Sequence, residues 1–372
     1  MRILLLSCNT GGGHNSAAAA IQNYCKKVGV DCDIRDALRF VSKPHTKIVS
    51  GGHSFIYRRF PRLFGAGYRY EENHPPHFIY NQMSLGAKKF AAFLNENHYD
   101  AIVSTHIFGN MLVTDARKRF GVTVPHFAVN TDYSLYPGAD MIDAQRIFIA
   151  AEQMRDLHLR AGLAAEQVVV SGIPIREDFF REIDKIEARS NLNLPEKKKI
   201  VLLFSGSIGC GKLHKKAPAL AKQLPDDAHL VIICGHNTNL YKRLQKARLS
   251  NTTVVGYTDR IAEFMAASDL CVTKPGGLST TEMLVMGLPM VLMLSVPGCE
   301  TRNLEHFESL NVAVGTEDWD EAIRLTIELI QDDDRLAEMK ERLRNIEYPG
   351  GAKVIIDTVL SDLEQQEQPK ND

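Results

Sequence analysis

The stretch Lys274 to Glu282, Lys-Pro-Gly-Gly-Leu-Ser-Thr-Thr-Glu, follows the apolar run Leu270 to Val272 and precedes a helical pattern that ends near Gly287. A buried strand, a glycine turn and a helix in that order predict an anion site, because the NH groups at the start of a helix attract negative charge. Gly276 and Gly277 allow the backbone to approach a ligand closely. The turn therefore suits a diphosphate, and a plain helix cap is the alternative.

The spacing of Ser279 and Glu282 is that of a capping box, in which a hydroxyl caps a helix and an acid follows three residues later. This spacing predicts that the helix starts at Ser279. Lys274 and Thr280 flank the turn and are further candidates for contact with the anion.

Length and composition predict two soluble domains. The chain has 372 residues, more than one hydrophobic core usually supports, and 44% of them are hydrophobic. Its net charge of -1 gives no general attraction to nucleic acid, so we expect no nucleic-acid partner.

Targeting signals and disulfides are not expected. Only four apolar residues separate Arg2 from Ser7, too few for a signal-peptide core, and Gly287 and Pro289 break the longest apolar run. The seven cysteines are odd in number and include no Cys-x-x-Cys pair. Reduced thiols in a cytoplasmic protein are the prediction.

The N-terminus repeats the order of strand, glycine loop and helix. Residues 2–8 predict a strand that runs into Gly11, Gly12, Gly13 and His14, and an alanine-rich helix follows from about Ser16. An imidazole at the carboxyl end of a parallel strand lies where such sheets bind ligands. His14 is the candidate base, and a helix-capping histidine is the alternative.

Polar residues also follow the next two predicted strands, at 100–105 and 124–129. The carboxyl ends of parallel strands share one edge, so these residues are expected to converge with His14 on a polar cleft. They are Thr105, His106, Asn130 and Asp132.

The segment from Ala37 to Tyr70 has seven Lys or Arg residues and no acid, with aromatic residues interleaved in its second half. Basic and aromatic side chains favour an anionic membrane surface. The segment predicts peripheral contact with the inner face of the cell membrane, and a nucleic-acid surface or a solvated basic face are the alternatives. The candidate contact residues are Arg58, Arg59, Phe60, Arg62 and Phe64.

The charged stretch Asp184 to Lys199 marks the domain connection, and a second series of strands and helices begins at Ile200. We expect an N-terminal domain with the membrane-contacting segment at 1–186, a linker at 187–198, a second domain at 199–350, and a C-terminal helix with a polar tail at 351–372.

Two motifs are discounted. The loop after the strand at 200–204 nearly matches a P-loop, but Leu213 stands where Ser or Thr would bind magnesium. Asp31 and Asp33 match an Asp-x-Asp metal pattern, but they lie in mid-strand. A glycine loop against a diphosphate, with Ser205 and Gly206, is favoured instead.

Later turns add further candidates. Gly235 and Tyr257 follow two more predicted strands. Glu300 and Asn303 lie three residues apart at a helix start and suit sugar hydroxyls, and the alternative is a cap with an exposed polar face.

Five motifs occur in the order typical of one family, and the resemblance runs from Met1 to about residue 360. The chain resembles the monogalactosyldiacylglycerol synthases and bacterial processive diacylglycerol glucosyltransferases. The motifs are Gly-Gly-Gly-His at 11–14, Asn-Thr-Asp at 130–132, Gly-Ile-Pro-Ile-Arg at 172–176, Lys-Pro-Gly-Gly at 274–277 with Thr281-Glu282, and Pro-Gly-x-Glu at 297–300. The resemblance implies an α/β fold of the GT-B type, two Rossmann-like doubly wound domains facing across a cleft. It implies that the domain at 1–186 binds the acceptor and that the domain at 199–350 binds the UDP-sugar.

The resemblance also implies inverting transfer of a hexose from a UDP-sugar to diacylglycerol, with UDP-sugar as substrate and no metal or other cofactor. His14 would deprotonate the acceptor, and Asp132 would orient His14 or line the acceptor cleft. The diphosphate would meet Gly13, the loop at 205–209 and residues 276–280; the ribose would meet Glu282, the hexose Glu300 and Asn303, and the uracil Gly235 and Tyr257.

The donor stays open at this point, with glucose expected first and galactose next. Cys299 stands where many family members have Gln, and a thiol is a poor hydrogen-bonding substitute. One alternative is a UDP-N-acetylglucosamine-dependent transferase with another lipid-linked acceptor, whose glycine loop usually has a threonine that this chain lacks. The other is a non-catalytic UDP-sugar sensor at the membrane, which would need neither His14 nor Asp132.

Overall fold

A computed structural model of the chain describes residues 1–9, 12–41, 61–74, 77–204, 213–294 and 297–367. Only the backbone is described for residues 61, 62, 64, 72, 73, 77–80 and 367. The chain forms two compact units. Unit 1 combines Met1–Arg176 with Tyr348–Asp372, and unit 2 is Glu177–Glu347.

Unit 1 contains a six-stranded parallel sheet with the order β2-β1-β3-β4-β5-β6. Its strands are β1 (Arg2–Ser7), β2 (Asp31–Asp36), β3 (Ala101–Ser104), β4 (His126–Val129), β5 (Arg146–Ile149) and β6 (Val168–Val170). Its first helices are α1 (Gly12–Lys27), α2 (Pro61–Asn73), α3 (His77–Ser84), α4 (Ala87–Asn97), α5 (Ile107–Phe120) and α6 (Arg155–Arg160).

The central strand β1 explains why this sheet has helices on both faces. Leu4 and Leu6 pack in one buried cluster with α4 and α5, whereas Ile3 and Leu5 pack in another with α1. A strand buried on both sides is expected to be a continuous apolar run, as residues 3–6 are. The strand order reverses between β1 and β3, which is the position where doubly wound sheets bind ligands.

Unit 2 contains a second six-stranded parallel sheet with the order β12-β11-β10-β7-β8-β9, the strand order of a Rossmann sheet. Its strands are β7 (Lys199–Phe204), β8 (Ala228–Ile233), β9 (Thr252–Val255), β10 (Leu270–Thr273), β11 (Met290–Met293) and β12 (Ala313–Thr316). Its helices are α7 (Lys185–Asn191), α8 (Leu213–Gln223), α9 (Thr238–Ala247), α10 (Ile261–Ala267), α11 (Gly277–Val285), α12 (Cys299–Ser309), α13 (Trp319–Gln331) and α14 (Asp333–Arg344). Its strand order reverses between β7 and β10.

The last helix, α15 (Ala352–Glu367), belongs to unit 1 although it follows unit 2 in the chain. Ile355, Ile356 and Val359 are fully buried in the same cluster as α1 and β1. Asp362 accepts hydrogen bonds of 2.7 and 2.8 Å from the Arg146 guanidinium at the start of β5. These contacts give the C-terminal helix a structural role in the N-terminal sheet.

The contact boundary between the units lies at Arg176, ahead of the residue 186 expected from the charge pattern. The first five residues of the expected linker, 187–191, lie in helix α7, which belongs to unit 2. Arg189 on α7 is 7% exposed, and its guanidinium donates to Asp269 at 2.8 Å and to the Ala267 carbonyl oxygen at 3.0 Å. The charged stretch therefore contains Arg189, one member of an ion pair with low exposure, as well as solvated side chains.

Residues 77–97 form two helices, α3 and α4. The break lies at Gly86, where an added Cβ would come within 3.1 Å of the Phe40 backbone carbon and 3.2 Å of a Leu112 methyl. Close packing at this turn therefore separates two segments that share one amphipathic pattern. Among the described helices, none is both long and apolar enough to cross a bilayer.

Candidate active site

His14 lies in the first turn of α1, just after β1, and is half-buried. Its Nδ1 is 2.9 Å from the carbonyl oxygen of Thr105 and 2.8 Å from the Thr131 hydroxyl. The Thr105 hydroxyl donates to the backbone carbonyl of His14 at 3.1 Å. Residues that follow β3 and β4 therefore hold both the ring and the backbone of His14.

The hydrogen bond to Thr105 assigns the tautomer of His14. A backbone carbonyl oxygen only accepts hydrogen bonds, so Nδ1 carries the proton and Nε2 carries the lone pair. A neutral imidazole in this tautomer can accept a proton at Nε2.

The strand ends that were expected to converge are brought together. The rings of His14 and His106 meet edge to face with centroids 4.3 Å apart, and His106 also caps α5 by accepting from the Phe108 NH at 3.0 Å. Asn130 is buried and its amide lies 2.9 Å from Nε2 of His158. The structure therefore gathers polar side chains from the ends of β1, β3 and β4 at one edge of the sheet.

Asp132 is linked to this group through a tyrosine. The Tyr136 hydroxyl donates to the Asp132 carboxylate at 2.7 Å and lies 3.1 Å from the Thr131 hydroxyl. The Thr131 hydroxyl in turn contacts His14. The sequence motif Asn-Thr-Asp thus supplies two members of one hydrogen-bonded chain.

In unit 2, the loop after β10 leads into α11, as the sequence predicts. The capping box at Ser279 and Glu282 is wrong, however, because α11 starts at Gly277 and its N-cap is Gly276, with no side-chain cap. Ser279 is therefore already inside the helix, and both Ser279 and Glu282 are partly exposed. Without a capping side chain, the first NH groups of α11 are not satisfied by their own helix and suit an anion.

Thr280 stabilises this turn through hydrogen bonds on its buried side. Its side chain is fully buried, and its hydroxyl lies 3.0 Å from the carbonyl oxygens of both Gly276 and Gly277. Thr281 donates in the same way to Gly277 at 2.8 Å. These hydroxyls shape the start of the helix from its buried side.

Glu300 and Asn303 are turned toward the same loop. Glu300 forms an ion pair with the Lys274 ammonium, and Asn303 donates to the Pro275 carbonyl oxygen at 2.9 Å. Both side chains are buried, with exposures of 3% and 0%. The alternative of a cap with an exposed polar face is therefore wrong.

Two further candidates lie at the same edge of the unit 2 sheet. Gly235 follows β8 with a φ of +54°, and an added Cβ there would meet no atom within 4 Å. Tyr257 follows β9, is 65% exposed, and stacks on His236 with ring centroids 4.3 Å apart. An exposed aromatic pair of this kind offers a flat surface for a planar ring.

Several predicted residues lie outside the description. Ser205, Gly206, Arg58, Arg59 and Phe60 are outside the described ranges, and Arg62 and Phe64 lie on α2 with only their backbone described. Gly12 and Gly13 form the half-buried start of α1.

The metal motif discounted from the sequence has another function in the structure. Asp33 accepts hydrogen bonds from Arg2 at 2.6 Å and from the Tyr99 hydroxyl at 2.9 Å. Across the described part of the chain, no group of three or more His, Cys, Asp or Glu residues has the arrangement of a metal site.

The sequence did not point to Tyr136, and no role was predicted for Thr131 or His236. Tyr136 lies in an irregular loop four residues after Asp132, with no periodic pattern around it. His236 follows β8 next to Gly235, so its place after a buried strand was the signal that could have found it.

Two protein-family models and several named proteins are similar to this chain. Residues 14–175 match the monogalactosyldiacylglycerol (MGDG) synthase family model, and residues 200–347 match the model of the glycosyltransferase family 28 C-terminal domain. The processive diacylglycerol beta-glucosyltransferase of Bacillus subtilis is 29% identical over 98% of this chain and 96% of its own length.

Solved structures show the same fold. MurG from Acinetobacter baumannii superposes with a TM-score of 0.65 at 16% identity, covering 97% of this chain and 99% of that one. Anabaena HepE in complex with UDP gives 0.59 at 17% identity, covering 98% and 100%.

Two parallel α/β units with polar side chains at the carboxyl ends of their strands form the GT-B fold, and the family models and named relatives indicate a glycosyltransferase. The two family models together cover most of the chain, and the relative from Bacillus subtilis matches along nearly its whole length. The chain is therefore similar to the monogalactosyldiacylglycerol synthases over its N-terminal half and to the processive diacylglycerol glucosyltransferases over nearly its whole length.

Proposed function

We propose that this protein transfers a hexose from a UDP-sugar to the free hydroxyl of diacylglycerol, with inversion at the anomeric carbon. The observation that carries the proposal is the His14 imidazole, which donates from Nδ1 to the Thr105 carbonyl oxygen and so offers Nε2 as a base. The similar proteins supply the substrate classes, because they are named diacylglycerol glucosyltransferases.

Nε2 of His14 takes the proton of the acceptor hydroxyl as that oxygen attacks the anomeric carbon. The new carbon–oxygen bond forms while the bond from the anomeric carbon to the UDP oxygen breaks, and UDP leaves with the electron pair. General base catalysis of this kind contributes about 10²- to 10⁴-fold to a rate.

The departing diphosphate gains negative charge, and the start of α11 is the proposed site that stabilises it. Helix NH groups act there together with the Lys274 ammonium, which the pair with Glu300 holds beside the turn. This positive potential serves the purpose that a metal serves in other transferases, so we propose that the reaction proceeds without one.

The remaining donor contacts are proposed from the same geometry. Glu300 and Asn303 border the Lys274 loop and would bind hexose hydroxyls, and the partly exposed Glu282 would bind the ribose. The Tyr257 and His236 stack offers a surface for uracil next to Gly235. Glucose is the proposed hexose, because the Bacillus relatives are named glucosyltransferases, and galactose is the second choice.

We also propose that the protein works on the cytoplasmic face of the cell membrane, where its acceptor is found. Helix α2 exposes Leu63 and Tyr70 at 62% and 64% together with the cation Arg69, a composition that suits a lipid surface. Sedimentation with liposomes tests this contact. Equal recovery with and without anionic lipid would contradict its electrostatic part.

The variant His14→Ala tests the catalytic proposal. Turnover should fall by about 10²- to 10⁴-fold, because the variant lacks the general base, while the dissociation constant for UDP should stay unchanged. His98→Asn, which changes an exposed histidine of the same unit, is the matched control and should keep full turnover. Undiminished turnover in His14→Ala would remove this residue from the mechanism.

A further inference from the structure

We propose that Thr131 and Tyr136 are positioning residues that connect the Asp132 carboxylate to His14 through a one-directional chain of hydrogen bonds. The distances along the chain are 2.8 Å from His14 Nδ1 to Thr131 Oγ1, 3.1 Å from Thr131 Oγ1 to Tyr136 Oη, and 2.7 Å from Tyr136 Oη to Asp132 Oδ2. This inference rests on the proposed function of His14 as the base and assigns the residues that would set its basicity.

The direction of the chain follows from counting protons. A carboxylate only accepts, so the single Tyr136 hydroxyl proton points at Asp132. The Tyr136 oxygen must then accept from the Thr131 hydroxyl, whose one proton is used in that bond. Thr131 therefore accepts from His14, and the Nδ1 proton is shared between Thr131 Oγ1 and the Thr105 carbonyl oxygen.

Every hydrogen bond in this chain is donated toward the Asp132 carboxylate, so the chain can stabilise a positive charge on His14. When Nε2 takes the acceptor proton, the ring becomes an imidazolium and its Nδ1–H becomes a stronger donor. Each hydroxyl then becomes a stronger donor to the next oxygen, so the carboxylate stabilises the new positive charge through two hydroxyls. The Nδ1 proton stays on nitrogen throughout.

The loop that carries the chain is fastened at both sides. The Asn130 backbone NH donates to the Phe148 carbonyl oxygen at 2.9 Å, and its side-chain amide donates to Nε2 of His158. Burial lowers the pKa of His158, which keeps this ring neutral and able to accept. On the other side of the loop, the Ala139 NH donates to the Tyr136 carbonyl oxygen at 3.1 Å.

Three variants test the chain. Thr131→Val and Tyr136→Phe each remove one hydroxyl with little change of shape, and Thr131→Ser keeps the hydroxyl. Each deletion should lower kcat by about 10-fold, equivalent to about 1.4 kcal/mol, with an unchanged dissociation constant for UDP. Thr131→Ser should retain most of the rate.

The hydrogen bonds from His14 to Asp132 act in series, which leads to a further prediction for the double variant Thr131→Val/Tyr136→Phe. Once one link is cut, loss of the second adds nothing, so the double variant should match the single variants at about 10-fold. A loss near 100-fold would indicate two independent effects and overturn the proposal. If Thr131→Val fails to fold, Tyr136→Phe combined with Asp132→Asn provides the same comparison.

The pH profile separates basicity from simple packing. Cutting the chain makes the imidazolium of His14 less stable, so the acid limb of the kcat/KM profile should move to lower pH in Tyr136→Phe. Tyr99→Phe removes a comparable hydroxyl donor to Asp33, on another strand of the same sheet, and should leave the profile in place. An unmoved acid limb in Tyr136→Phe would contradict the proposal.

A last readout does not depend on transfer activity. Ring ¹⁵N spectra of the ligand-free protein, assigned with His14→Ala, report the tautomer of His14 and the pH at which it is half protonated. The proposal expects an Nδ1–H tautomer and a lower half-protonation pH in Tyr136→Phe than in the parent. Spectra with these features but no transfer from any donor would refute the proposed function alone, whereas unchanged spectra in Tyr136→Phe would refute the chain.

Discussion

Gly172, the first residue of the Gly-Ile-Pro-Ile-Arg motif, lies close to the aromatic ring of Tyr348. It has a φ of +77°, and an added Cβ would stand 2.7 Å from Cε2 and 3.1 Å from Cζ of that ring. The ring is held in place because the Tyr348 hydroxyl donates to the Ile173 carbonyl oxygen at 2.6 Å. Gly172→Ala should therefore destabilise unit 1 through two separate costs.

A control variant separates the backbone part of the lost unfolding free energy from the part due to overpacking. A left-handed backbone costs a non-glycine residue about 1–2 kcal/mol, and overpacking costs about 1–3 kcal/mol more, so Gly172→Ala should lose about 2–5 kcal/mol. Gly162→Ala is the control, because its φ is +94° but its added Cβ would meet nothing within 4 Å. It should lose about 1–2 kcal/mol.

Urea denaturation of both variants, followed by circular dichroism, measures the difference. Both glycines lie in unit 1, so their effects should appear in the same transition. An equal loss in the two variants would refute the reasoning, because it would show that the Tyr348 ring gives way at no cost.

Two further predictions concern charged groups. Lys274→Met should weaken UDP binding by about 10- to 100-fold and lower the free energy of unfolding by about 3 kcal/mol, because Glu300 is a buried carboxylate. The double variant Lys274→Met/Glu300→Gln should recover the free energy of unfolding, measured by urea titration, but not the UDP affinity, measured by calorimetry. Recovery of both quantities would contradict a direct contact between Lys274 and the diphosphate. Burial lowers the pKa of His126 and of His306 to about 4, so both rings stay neutral in the folded state. Below about pH 6.5 the unfolded chain binds more protons than the folded one. As the pH falls from 6.5 to 4, each ring should therefore lower the free energy of unfolding by up to about 1.4 kcal/mol per pH unit. His126→Gln should flatten this slope and His98→Asn should not, whereas an unchanged slope in His126→Gln would contradict the assignment.

Much of the fold could be predicted from the sequence because its signals are local. Continuous apolar runs such as residues 3–6 mark strands that are buried on both faces, and a glycine loop followed by a helical pattern marks the turn after each strand. Parallel strands place all their carboxyl ends at one edge, so the convergence of His14 with Thr105 and Asp132 could be anticipated without coordinates.

The remaining features depend on contacts between residues far apart in sequence. Helix α15 joins unit 1 through Asp362 and Arg146, and nothing in its own pattern indicates that partner. The start of α11 at Gly277 was missed because Ser279 has the right spacing for a cap, while the buried hydroxyl of Thr280 supports an earlier start. A capping motif is therefore weaker evidence when glycines precede it.

The hydrogen-bond chain from His14 to Asp132 could be predicted only in part from sequence motifs. The Asn-Thr-Asp motif contains Thr131 and Asp132, but no sequence pattern indicates that Tyr136 joins them. The loop from 130 to 138 has no regular secondary structure, so periodicity cannot place its side chains.

Lipid chromatography is the direct test of hexose transfer to diacylglycerol. The protein is incubated with diacylglycerol liposomes and UDP-glucose, UDP-galactose or UDP-N-acetylglucosamine in separate tubes, with EDTA throughout and His14→Ala as the inactive control. We expect a glycolipid band with UDP-glucose, no band with His14→Ala, and no inhibition by EDTA. The absence of a glycolipid band from every tube, while UDP still binds, would contradict diacylglycerol as the acceptor.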